Sequence, residues 1–206
     1  KTISIALKIG YRHIDTAEVY RNEVGIGLGL KDTFSQISLH RDEVFITSKV
    51  FPGNPSWGRE PKNYKMCIEA CDNSLERLKL DYLDCYLIHA PFCKDLRLEQ
   101  WKALCDLKKE GKTRTIGVSN YSQSHIQEII NEGLEVPEYN QIELHPWCQK
   151  EKLVSFLKEK NIKILKSSDI NLYPNSSLKK IKKFINGDPI NISFDVDSID
   201  PKYMPC

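Results

Sequence analysis

The sequence predicts an α/β protein built on a parallel sheet, and three observations carry that expectation. Short β-rich runs alternate with longer amphipathic stretches along the chain, as successive βαβ units do. Nearly every β-rich run closes on a polar residue. Gly25, Gly27 and Gly29 fall inside a helical pattern rather than in a GxGxxG turn between a strand and a helix, which weakens the open dinucleotide-binding sheet.

The elements follow in order. The opening KTISIALKIG reads as the end of a helix and lacks the layout of a signal peptide. Because it starts at Lys1 rather than Met, a preceding piece is expected. Strands are predicted at Tyr11 to Asp15, Val44 to Lys49, Leu83 to His89, Thr115 to Ser119, Asn140 to Glu143 and Ile162 to Leu165. Between them, Asn63 to Lys79 places Met66, Ala70, Leu75 and Leu78 near 3.6-residue spacing with charges in the gaps, the pattern of a helix laid on a sheet. Leu98 to Lys109, Ser122 to Asn131 and Lys150 to Lys160 repeat it. Such units build either a (β/α)8 barrel or an open doubly wound sheet, and periodicity does not choose between them.

Composition narrows the function classes. With 30 basic against 28 acidic residues, a formal charge of +2 makes no strong field for nucleic acid or an anionic membrane. No apolar run approaches the roughly 20 residues of a transmembrane helix. A soluble, cytoplasmic protein with a small-molecule partner is expected. The 7 cysteines form neither a CxxC pair nor a Cys/His metal pattern, so they read as reduced thiols. The length of 206 residues suits one domain or a piece of a larger barrel.

In both architectures the functional face lies at the carboxyl ends of the strands. There the runs carry Asp15 (HIDTA), Lys49 (FITSK), His89 (YLIH), Ser119 and Asn120 (IGVSN), and Gln141 (YNQIE). One polar strand end is unremarkable, but five in succession converge on one mouth. Singly, each has a plainer reading: Asp15 as a helix cap, Tyr20 as packing, Lys49 as a solvated charge, His89 as a structural histidine, Ser119 and Asn120 as a turn. His13 and His145 belong in that structural class. Jointly, the plain readings predict no such common placement.

The segments GYRHIDTAEVYRNEVGIG, EVFITSKV, LDYLDCYLIHAPF, LKKEGKTRTIGVSNYS and EYNQIELHP resemble, in order, the signatures of the aldo-keto reductase family. The resemblance covers roughly residues 1–166 and implies a (β/α)8 TIM barrel of aldo-keto reductase type. With six strands, and Ile190 to Val196 as a candidate seventh, against the eight of a closed barrel, the barrel is expected to be incomplete, its first strand and C-terminal units missing or replaced. The family uses NADPH, less often NADH, without metal. The resemblance maps a catalytic tetrad onto Asp15, Tyr20, Lys49 and His89. A carbonyl receiving hydride needs a proton donor and stabilisation of its developing negative charge. Tyr20 would be the donor, Lys49 would favour its phenolate, Asp15 would hold Lys49, and His89 would orient the carbonyl. Ser119, Asn120 and Gln141 suit the nicotinamide carboxamide, since they offer donors and acceptors without charge. Phe51 and Trp57 are candidates for an apolar pocket wall.

After Leu165 the resemblance ends. Where the family continues with a tyrosine that stacks on nicotinamide, this chain reads KSSDINLYP, with Ser167 at that position. The segment that clamps the adenosine phosphate is absent, and Ser176, Ser177, Lys179 and Lys180 read as a solvated helix face. The run PINISFDVDSIDPKYMP resembles an arginase or ureohydrolase motif, in which Asp195 and Asp197 would bridge manganese. The remaining ligands of such a centre are lacking, and no metal site is expected. The chain thus divides into a barrel portion, 1–166, and a divergent tail, 167–206. The expected function is NAD(P)H-dependent reduction of aldehydes and ketones. The alternatives are an inactive reductase remnant or fusion, and a fragment of a manganese ureohydrolase. Open barrel edges predict a monomer or weak self-association.

Overall fold

The computed structural model describes residues 1–144 and 148–167, the side chains of 165–167 excepted. His145, the Ser176 to Lys180 segment, the candidate seventh strand, and Asp195 with Asp197 lie outside the described residues. Helices and strands alternate as α1 (Thr2–Lys8), β1 (His13–Asp15), α2 (Glu23–Gln36), β2 (Phe45–Val50), α3 (Tyr64–Leu78) and β3 (Leu83–Ile88). They continue as α4 (Arg97–Lys109), β4 (Thr113–Ser119), α5 (Gln123–Asn131), β5 (Tyr139–Glu143), α6 (Glu151–Glu159) and β6 (Lys163–Ser167). The six strands pair in parallel and in chain order, β1 to β6, without reversal.

That unreversed order already departs from a doubly wound sheet, which switches direction partway. Curvature decides the matter. In a flat sheet, β1 and β5 would stand about 19 Å apart, four spacings of roughly 4.8 Å. Yet Gln141 Nε2 on β5 donates to Asp15 Oδ2 on β1 at 2.7 Å, so the strands bend round into an arc. The described chain is therefore an incomplete (β/α)8 barrel rather than an open sheet.

The register separates the two faces of the arc. Asp15 pairs with Thr47, Thr47 with Cys85, and Cys85 with Thr115. Lys49 stands level with Leu87, Gly117 and Tyr139. Partners in a parallel ladder share a face, so these residues point inward with the ends of the polar runs. Ile46, Tyr86, Ile88, Ile116 and Val118 take the other face and bury against the helices, where Trp101 is also enclosed. Trp101 satisfies its indole by donating Nε1 to the Glu135 carbonyl at 2.8 Å. Inside the arc, Cys85 and Leu87 pack with Phe45 and Tyr139. Space there is tight at Gly117, where a Cβ would lie 2.5 Å from the Tyr139 carbonyl oxygen and 2.8 Å from Leu87.

Local signals account for the helix ends. Asn63 caps α3 by accepting from the Met66 amide at 3.0 Å, and Lys79 ends it in the left-handed conformation. Ser122 and His125 cap α5 reciprocally. The opposite, amino-terminal side of the sheet is tied by Asp84, which accepts from Arg41 at 2.7 Å and from the Ile46 amide at 2.9 Å. That is the side of such barrels concerned with stability. No described helix is long and apolar enough to cross a membrane. Five of the described cysteines are buried, and burial raises the thiols of Cys67, Cys71 and Cys85 to about 12, which keeps them protonated and unreactive.

Candidate active site

The carboxyl ends of β1, β2 and β3 bring four polar side chains together. Asp15 closes β1, Lys49 is the next-to-last residue of β2, and His89 follows β3 directly. Tyr20 comes from a short 3-10 turn, Glu18–Tyr20, after β1. The Lys49 ammonium donates to Asp15 Oδ1 and to the Thr16 carbonyl, the latter at 3.0 Å. It also stands 5.1 Å from the centre of the Tyr20 ring. His89 meets that ring edge to face, with centroids 5.5 Å apart.

Burial separates these groups. Lys49 is 1% exposed and Tyr20 49%, so the amine is sealed below while the phenol opens outward. Taken alone, Lys49 reads as a solvated charge, and the structure corrects that reading. A lysine can be buried when a carboxylate compensates it, and Asp15 does so from 34 positions away. Nor does Asp15 cap a helix, for both of its oxygens are taken, by Lys49 and Gln141. His13 is structural as expected, with Nε2 2.9 Å from the Thr47 hydroxyl.

His89 is held neutral. Burial, reinforced by the Lys49 charge, pushes its imidazole down to about 4. Its Nδ1 is buried with no hydrogen-bond partner among the described residues. A buried N–H without an acceptor costs more than a bare lone pair, which leaves the proton on Nε2.

This depressed value has a consequence for stability. An unfolded histidine titrates near 6.5, so between about 6.5 and 4 the unfolded chain binds a proton that native His89 refuses. Stability is therefore lost as pH falls through that window and is unaffected above it. Thermal unfolding midpoints recorded from pH 7.5 to 4.5 should fall more steeply for the wild type than for His89→Gln. Parallel curves would contradict the assignment.

Ser119, Asn120 and Gln141 form a second group beside the first. Gln141 is not at its strand's end but two residues earlier, level with Ser119. The Ser119 hydroxyl donates to the Gln141 carbonyl at 3.2 Å, and Asn120 Nδ2 donates to Ser119 Oγ at 3.1 Å and to the His89 carbonyl at 3.3 Å. Asn120 takes the left-handed conformation, φ 59°, which turns the chain at this point as the plain turn reading anticipates. Gln141 joins the two groups through Asp15.

Phe51 and Trp57 stack at 6.4 Å. Phe92, which sequence reasoning missed, meets both edge on, at 6.2 and 5.1 Å. Trp57 and Phe92 are 65% and 41% exposed, an open aromatic face formed by the loops after β2 and β3. The position of Phe92, three residues after His89 in the same loop, was the available signal. Among the described residues no group of His, Cys, Asp and Glu is arranged to hold a metal ion.

The profile of the aldo/keto reductase family matches residues 1–171. Over 164 residues the chain is 42% identical to a glyoxal reductase of Bacillus subtilis, which covers 80% of this chain and 55% of that protein. It is 43% identical over 152 residues to the methylglyoxal reductase DkgA of Escherichia coli, covering 73% and 50%. The chain spans about half the length of the curated relatives it matches. A solved aldo/keto reductase from Brucella melitensis superposes with a TM-score of 0.73 at 36% identity, covering 90% of this chain and 68% of that one. A Bombyx mori aldo-keto reductase in complex with NADP gives 0.72 at 32% identity, with coverages of 80% and 54%.

Proposed function

The chain belongs to the aldo/keto reductase family, and on that premise we propose that it reduces aldehydes and ketones to alcohols with a nicotinamide cofactor, NADPH or NADH, and with Tyr20 as general acid. The observation that carries this reading is the convergence of Tyr20, Lys49, Asp15 and His89 at adjacent strand ends. A bound nicotinamide cofactor supplies the hydride that reduces the carbonyl carbon. As the carbonyl oxygen gathers negative charge, Tyr20 Oη gives it a proton. The Lys49 ammonium stabilises the phenolate left behind, because a nearby cation favours the charged form of an acid. Asp15 keeps Lys49 in place and compensates its charge. His89, neutral with its proton on Nε2, offers the carbonyl oxygen a hydrogen bond without competing for the proton.

The cofactor fits the chemistry of the neighbouring group. A primary carboxamide needs partners that both donate and accept, and Ser119, Asn120 and Gln141 offer a hydroxyl and two amides without charge. The bonds of Asn120 to the His89 carbonyl and of Gln141 to Asp15 support that reading. The glyoxal and methylglyoxal reductases among the relatives make small dicarbonyl aldehydes the first substrates to test.

The experiment is a titration of the full chain with NADPH followed by nucleotide fluorescence, then turnover on glyoxal and methylglyoxal. Saturable binding and turnover are expected. An inactive remnant, the reading favoured by Ser167 at the stacking position, would neither titrate nor turn over.

A further inference from the structure

The turn that carries Tyr20 and the loop that carries the aromatic face are joined by a small closed network. Glu18 Oε2 accepts from the Phe51 amide at 3.1 Å. Its Oε1 pairs with Lys62 Nζ at 3.2 Å. Lys62 Nζ in turn donates to the Phe51 carbonyl at 3.0 Å. Glu18 and Lys62 thus hold Phe51 at both its N–H and its carbonyl oxygen. Both side chains are largely withdrawn from water, at 27% and 18% exposure, so the pair is screened less than a surface one.

The rest of the loop leaves little freedom. Gln100 Nε2 donates to the Pro52 and Lys62 carbonyls at 3.1 and 2.8 Å. Gly53 adopts φ +93°, and a Cβ there would meet the Glu60 carbonyl oxygen at 2.2 Å. With its base pinned, the loop takes its direction relative to Tyr20 from the grip on Phe51. Trp57 follows, since it stacks on Phe51 at an interplanar angle of 11°.

We infer that Glu18 and Lys62 are positioning residues that set the aromatic face of Phe51, Trp57 and Phe92 at a fixed distance from the proton donor, and so select carbonyl substrates with an apolar body. Neither touches the reacting atoms in this scheme. The inference rests on the reductase reading above, yet the loop tie itself is testable without turnover.

The full chain is labelled with 5-fluorotryptophan, and its 19F signals are assigned with Trp57→Phe and Trp101→Phe. Glu18→Ala and Lys62→Met should each displace or broaden the Trp57 signal and leave the Trp101 signal in place. In turnover, both should raise KM for an aldehyde with a bulky apolar body by about tenfold, the scale of a lost apolar pocket contact. Activity on glyoxal, which has no apolar body, should stay within about twofold. Glu18→Gln keeps an acceptor for the Phe51 amide and should lie closer to the wild type. An unmoved Trp57 signal in both variants, or equal losses on the two substrates, overturns the inference. A displaced Trp57 signal in a chain that reduces neither aldehyde upholds the loop tie and removes the reductase reading instead.

Discussion

Tyr20→Phe should lower kcat for carbonyl reduction by about 10²- to 10⁴-fold, the usual range for a positioned general acid, while NADPH binding is retained. The phenyl ring keeps the edge contact with His89 and the face beneath Lys49, so only the hydroxyl is lost. Tyr20 is 49% exposed, and removing its oxygen leaves no buried cavity, which predicts an unfolding midpoint close to that of the wild type. Single-turnover kinetics beside a cofactor titration separate chemistry from binding. Retention of kcat within tenfold would assign the proton to another donor.

Lys49→Met should cost both activity and stability. Met retains the length of the lysine stem but removes the ammonium that favours phenolate at Tyr20, and kcat should fall by a further large factor, about 10²-fold or more. The stability effect comes from Asp15. Breaking a buried ion pair by removing one partner costs about 3–5 kcal/mol, and the lower end applies because the Asp15 side chain keeps 19% exposure and its bond from Gln141. Chemical denaturation provides the measurement. Adding Asp15→Asn to Lys49→Met should recover much of the lost stability but none of the activity, since the stranded carboxylate is then neutral. A double variant no more stable than the single one would show that Asp15 is not the source of the cost.

The sequence exposes the alternation of elements because each β-rich run is short and bounded by charge or turn residues, and each helix shows a 3.6-residue apolar stripe. Asn63 and Lys79 mark the flanks of α3 within a residue. The sequence also exposes which strand ends are polar, because that signal is local. What it hides are relations between distant residues. Lys49 looks solvated until Asp15 is placed beside it. Barrel and open sheet have the same periodicity, and it is the unreversed strand order together with the approach of Gln141 to Asp15 that separates them. Phe92 is a lone aromatic outside any periodic run. Glu18 and Lys62 lie in loops 44 positions apart, where neither pattern nor propensity announces that they grip the same peptide unit.

The approach of Gln141 to Asp15 bears on how the molecule is made. The bond spans 126 positions, whereas Asp15, Tyr20, Lys49 and His89 all fall within the first 89 residues. Chains leave the ribosome N-terminus first. Asp15, Tyr20, Lys49 and His89 are thus all made before the amide that reaches back to Asp15. Ribosome-stalled chains ending between β3 and β5 therefore contain both partners of the lysine–carboxylate pair but lack the amide that draws the arc shut.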